Sequence, residues 1–217
     1  MSAPRRPRVL LADDHLLVAE ALTSLLTPEF DLVGVVEDGR ALVKAAGRLR
    51  PDVIVADVTM PHLNGIDALV RLRQGGDRVP VVFLTMHRDV TFARRALEAG
   101  ASGFVLKHSA SVELIAALHA ALEGKTYLTP QLAGEVLEAM KQGPERAADP
   151  VASLTPRQRE VLQLLVEGKS NTKIAELLFL SQKTVETYRS HLMQKLGIGD
   201  LPGLVKFAIQ HGITTVE

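Results

Sequence analysis

The chain has 217 residues, enough for one large domain or two small ones, and its 47% hydrophobic and 23% charged content is that of a water-soluble globular protein. Its 25 basic and 25 acidic residues balance, so overall charge alone points to no nucleic-acid partner. With no cysteine it has no disulfide framework, no thiol catalysis and no thiolate metal site.

Met1 to Arg8 is basic but contains no apolar segment, so no signal peptide is expected. No uninterrupted apolar stretch approaches the roughly 18 residues of a membrane helix. A cytoplasmic protein without a membrane partner is the expectation. Strand-like runs recur at 8–12, 31–36, 52–56, 79–84 and 102–106, with helix-period segments at 15–27, 39–50, 64–74, 89–99 and 111–123 between them. Short Val/Ile/Leu runs alternating with helices predict a doubly wound, five-stranded parallel α/β sheet with right-handed crossovers. Three of these runs end on charge: Asp13-Asp14, Asp57 and Lys107. In such a sheet the carboxyl ends of the strands open onto the ligand crevice, so three carboxylates and one ammonium converge there. The loop at 57–65 contains Pro61, which cannot continue a ladder, and Gly65, which supplies a tight bend.

The composition changes at 126–152, which reads as a linker after a first domain at 1–125. Leu132, Val136, Leu137 and Met140 line one face of a short helix predicted at 131–141, stopped by Gln142-Gly143-Pro144. Residues 145–150 have linker composition, which places a flexible boundary near 143–152. A second domain at 153–217 reads as all helix, with eight basic and six acidic residues. Thr155, Pro156 and Gln158 form a capping box with Pro at the first helical position. Gly168 ends that helix, Ser170 caps the next to about Leu178, and Phe179-Leu180-Ser181 is a three-residue turn. Ser181 caps a longer helix to Leu196, and a fourth helix follows at about 202–211. A short helix, a tight turn and a longer helix make a helix-turn-helix.

The first domain resembles the flavodoxin-like receiver domain of two-component response regulators. The matching residues are Asp13-Asp14, Asp57 with Met60-Pro61 and Gly65, Thr85, and Lys107 with Phe104 before it. The second resembles the four-helix LuxR-type DNA-binding domain through Leu154–Leu162, Glu167–Asn171, Ile174-Ala175, Ser181 and Lys183–Thr187. Their order is that of the NarL/FixJ subfamily.

The resemblance implies that Asp57 accepts a phosphoryl group from the phosphohistidine of a sensor histidine kinase. It implies Mg2+ held by Asp14, Asp57 and the carbonyl of Thr59, with Asp13 acting mainly through water. Lys107 and Thr85 would bind phosphoryl oxygens and Phe104 would be the switch aromatic. His87 falls where family members tune phosphoryl lifetime, though it reads more simply as a loop residue. The expected chemistry is self-catalysed phosphoryl acceptance and slow dephosphorylation, without enzymatic turnover. An alternative is a Mg2+-dependent phosphatase with Asp57 as nucleophile. Enzymes of the haloacid dehalogenase type need a second Asp two residues on as general acid, and Thr59 stands there.

In the helix at 182–196, Val185, Tyr188, Leu192 and Leu196 recur at helical spacing and predict a core face, leaving Lys183, Glu186, Thr187, Ser190 and Gln194 opposite. The resemblance places base contacts on Glu186, Thr187 and Ser190; Lys183 suits guanine. Arg189, Lys195, Lys173 and Thr172 are candidates for phosphate contacts in promoter DNA. One recognition helix reads few base pairs, so an active homodimer is expected. Leu201, Leu204, Val205, Ala208 and Ile209 give the last helix an apolar side assigned to that dimer contact, with packing onto its own domain as the alternative. A receiver fused to a protein-interaction module also stays open.

Overall fold

A computed structural model describes residues 5–86, 90–141 and 150–214. The strands are β1 (Arg8–Ala12), β2 (Asp31–Val36), β3 (Val53–Asp57), β4 (Val81–Thr85), β5 (Gly103–Leu106) and β6 (Tyr127–Leu128). Interleaved with the first five are helices α1 (Leu16–Leu26), α2 (Gly39–Leu49), α3 (Gly65–Gln74), α4 (Val90–Glu98) and α5 (Ala110–Leu122); α6 (Pro130–Lys141) follows β6. The sheet is parallel throughout, in the order β2-β1-β3-β4-β5-β6. Strand order reverses between β1 and β3, so the crevice opens beside Asp13 and Asp57.

The central strands are apolar on both faces because both are covered. Ile54, Ala56, Phe83, Phe104 and Leu106 belong to the layer beneath α2, α3, α4 and α6. Val53, Val55, Val82 and Val105 belong to the layer beneath α1 and α5. The chain doubles back sharply after β3. A Cβ on Gly65 would lie 2.1 Å from the Asp57 carbonyl oxygen, so only glycine lets α3 start this close to the strand.

Three sequence expectations are corrected here. The sheet has six strands, the last a two-residue strand whose register pairs Phe104 with Leu128. Segment 126–141 is accordingly no linker: Leu132 and Val136 of α6 lie in the receiver-like core. Leu137 is exposed, so it does not share their buried face. The Met140 side chain, residues 142–149 and His87 lie outside what the structure describes.

The second domain holds α7 (Pro156–Val166), α8 (Asn171–Leu178), α9 (Gln182–Leu196) and α10 (Leu201–Gln210). The capping box at Thr155 and Gln158 forms, and the Ser170 and Ser181 side chains accept hydrogen bonds from the first turns of α8 and α9. Leu162 and Leu165 of α7, Ile174 of α8, Val185 and Leu192 of α9, and Leu204 and Ala208 of α10 share one core, which also takes in Val151. Val151 had read as linker, but it is fully buried.

Candidate functional site

The carboxyl ends of β1, β3 and β5 bring Asp13, Asp57 and Lys107 together. Lys107 Nζ donates to Asp57 Oδ2 at 2.6 Å and lies 2.7 Å from Asp13 Oδ2. Asp57 and Asp13 are 4% and 2% exposed, while Asp14 faces solvent. Thr85, at the end of β4, is fully buried, and Thr59 is buried in the β3–α3 loop. The Thr59 backbone N–H reaches Asp57 Oδ1 at 3.4 Å. Phe104 is fully buried in the layer that includes Phe92 of α4 and Leu132 of α6.

Burial dominates the electrostatics of Asp57. Loss of hydration raises its carboxyl pKa to about 6, against the opposing pull of the Lys107 charge and hydrogen bond. Burial alone would lower the Lys107 ammonium, but Asp57 and Asp13 outweigh it and hold it above the usual lysine range. Three carboxylates face one ammonium, which leaves two negative charges uncompensated. Ligand atoms on Asp13, Asp14, His15 and Asp57 lie within 4.8 Å of one another. Asp13 Oδ2 has its ion-pair contact with Lys107 and no aligned hydrogen-bond donor. Mostly hard oxygen donors with unspent charge fit a divalent cation of the Mg2+ type. His15 was not anticipated: its Nδ1 lies 3.0 Å from Asp14 Oδ1, and its N–H donates to Asp13 Oδ1. The run Asp13-Asp14-His15 was the available signal.

In the second domain, Lys183, Glu186, Thr187, Ser190 and Gln194 form the exposed face of α9, opposite buried Val185 and Leu192. Arg189 is half-buried beside that face. Thr172 and Lys173, at the start of α8, are exposed as well. Lys173 pairs with Glu176 at 3.2 Å, and Lys195 donates to the Ser153 carbonyl at 2.6 Å. The apolar side assigned to dimerisation needs correction. Leu204 and Ala208 are fully buried in their own domain, because a four-helix core this small consumes that side of α10. Leu201 is 36% exposed, while Val205 and Ile209 are half-buried.

The two domains touch through α7. Arg159 pairs with Asp67 at 2.6 Å, Arg71 with Glu160 at 2.9 Å, and Gln163 hydrogen-bonds the β3–α3 loop. At the other end of the contact, a Cβ on Gly212 would come within 2.4 Å of the Phe92 ring. Gly212 also has φ 61, a left-handed conformation suited to glycine. The polar contacts of α7 were invisible in the sequence, where only the capping and the end of that helix could be read.

Comparisons with known proteins cover both domains. Residues 9–119 match the response regulator receiver domain, and residues 152–208 match the bacterial regulatory proteins of the luxR family. The chain is 34% identical to the transcriptional regulatory protein MctR of Rhizobium johnstonii, over 96% of this chain and 95% of that one. It is 36% identical to the positive transcription regulator of virulence factors BvgA of Bordetella pertussis, over 95% and 98%. Among solved structures it resembles the RcsB response regulator of Salmonella typhimurium, described for conformational dynamism in DNA interaction. That match has a TM-score of 0.65 at 27% identity, covering 95% of this chain and 98% of the other.

Proposed function

The chain belongs to the response regulators that join a receiver domain to a luxR-family DNA-binding domain, and from that premise we propose how its signal is stored and read. It regulates transcription: a phosphoryl group received on Asp57 from a sensor histidine kinase controls binding of α9 to promoter DNA. The convergence of buried Asp57, Asp13 and Lys107 at three strand ends carries this reading.

Asp57 Oδ attacks phosphorus in line. A P–O bond forms as the P–N bond to the donor imidazole breaks, and that nitrogen leaves with the bonding pair. Mg2+, bound by Asp14, Asp57 and the Thr59 carbonyl with Asp13 acting through water, would neutralise the carboxylates and the phosphoryl oxygens. Lys107 already lies against Asp57 and re-pairs with a phosphoryl oxygen as a point charge. Thr85 offers its hydroxyl to another oxygen. Phe104 responds through packing, since phenylalanine has no hydroxyl to donate. Thr59 stands where a phosphatase would need a general acid, which favours a stored signal over turnover of phosphate esters.

On DNA, Glu186, Thr187, Ser190 and Lys183 read base edges in the major groove. Thr172, Lys173, Arg189 and Lys195 contact phosphates and set register. The active form is a homodimer on paired half-sites, working in the cytoplasm. Among the described residues no helix is long and apolar enough to cross a membrane. Labelling with a small acyl phosphate in Mg2+ tests the phosphoacceptor: Asp57→Asn abolishes it, and undiminished labelling of that variant refutes the assignment.

A further inference from the structure

His15 follows the two aspartates of the acidic pocket and opens α1, yet its ring does nothing for that helix. Its backbone takes the N-cap position, and its carbonyl accepts from the Ala19 N–H at 2.9 Å. No side-chain hydrogen bond caps the first turn, the service that Ser, Thr, Asp or Asn performs there. The ring does not serve the core either, since 59% of the side chain is exposed. It turns instead toward the carboxylates: Nδ1 lies 3.0 Å from Asp14 Oδ1 and 3.5 Å from Asp13 Oδ1. The His15 backbone N–H donates to that same Asp13 oxygen at 2.9 Å, which fixes the carboxylate beside the ring.

These distances suit a shared ligand shell. Adjacent donors around an octahedral ion with bonds of about 2.1 Å stand about 3 Å apart, and opposite donors about 4.2 Å. Asp14 Oδ1 and His15 Nδ1 already have the adjacent spacing. One ligand atom from each of Asp13, Asp14, His15 and Asp57 lies within 4.8 Å of every other, so a small inward shift closes all of them on one ion. A second observation points to an ion there. Asp13 Oδ2 is buried with no aligned hydrogen-bond donor, its one contact being the Lys107 ammonium that it shares with Asp57. The 3.0 Å contact with Asp14 also suits a hydrogen bond. The two arrangements differ in one observable, a metal–nitrogen bond.

We propose that His15 is a metal ligand of the acidic pocket, and that its ring nitrogen gives the pocket a preference for transition ions of the Mn2+ and Fe2+ class over Mg2+. This rests on the reading that the pocket holds a divalent cation. The oxygens of Asp14, Asp57 and Thr59 serve Mg2+ without help, because a hard ion gains little from imidazole. Transition ions gain from the softer nitrogen while accepting the same carboxylates. His15 follows Asp14 directly, so the strand end that delivers the two aspartates also delivers the ring to the rim of the pocket. Its exposure lets it swing toward an ion without disturbing the core.

The test uses the full chain as wild type, His15→Asn and His15→Ala, with Asp14→Ala to locate the site. Calorimetry gives the Mg2+ and Mn2+ dissociation constants, and pulsed electron paramagnetic resonance of bound Mn2+ reads coupling to a directly bonded nitrogen. Wild type is expected to show that coupling. Both His15 variants are expected to lose it and to lower the preference for Mn2+ about tenfold, with Mg2+ binding moved less than about twofold. His15→Asn supplies the cap that the ring does not, so α1 stays folded, and His15→Ala removes every side-chain donor. Mn2+ that binds through Asp14 without a directly bonded nitrogen, or with coupling or preference unchanged in both His15 variants, overturns the proposal alone. A wild-type chain that binds neither ion, or an Asp14→Ala chain that binds both as wild type does, overturns the cation reading and the proposal with it.

Discussion

Burial lifts the Asp57 carboxyl to about 6 even with the Lys107 ammonium against it. The folded protein therefore binds more protons than the unfolded chain between the ordinary carboxylate range and pH 6, and stability falls as pH rises through that window. Above pH 6 the buried charge is a standing cost. Asp57→Asn removes that charge and leaves Lys107 its contact with Asp13. In urea titrations at pH 7.5 the variant is expected to be more stable than wild type by up to about 3 kcal/mol. The gap should close below about pH 4, and a gap that persists there would contradict the electrostatic origin. These residues were legible in the sequence because a hydrophobic run ending on Asp or Lys states both its burial and its position. His15 was not, since a histidine beside two aspartates also reads as the start of a helix.

At the scale of elements, legibility follows length and capping chemistry. Thr155, Ser170 and Ser181 each supply the side-chain oxygen that an orphaned N-terminal amide needs, and each marks its helix correctly. Ser181→Ala is expected to cost about 1 kcal/mol of stability in thermal unfolding. β6 escaped notice because two residues carry no alternation. Without it, α6 reads as a linker helix. The apolar side of α10 misled for the opposite reason: its pattern was clear, but the pattern does not say whether an apolar stripe meets its own domain or a partner. On α9 and α8 the exposed polar residues separate by expected readout. Lys173→Ala should weaken binding to all DNA sequences alike and lower the salt slope by about 1. Thr187→Ala should leave the slope alone and relax preference at one base pair, as anisotropy titrations over salt and site variants would show.

The whole molecule joins the buried Asp57 cluster to the exposed polar face of α9 through the flank of α7. Its two cores were foreseeable from hydrophobic periodicity, each within its own stretch of chain. The contact between them was not, because Gln163 and Asn64 stand far apart in sequence and polar residues on a helix face carry no address. The polar face of α9 stays exposed while α7 holds the loop after Asp57, so the contact between the domains leaves that face uncovered. The most direct measurement is the affinity of the full chain for a selected DNA site, with and without acetyl phosphate and Mg2+, in wild type and Asp57→Asn. Phosphorylation should tighten wild-type binding at least about tenfold and leave Asp57→Asn unmoved. Equal wild-type affinity in the two states would contradict the account.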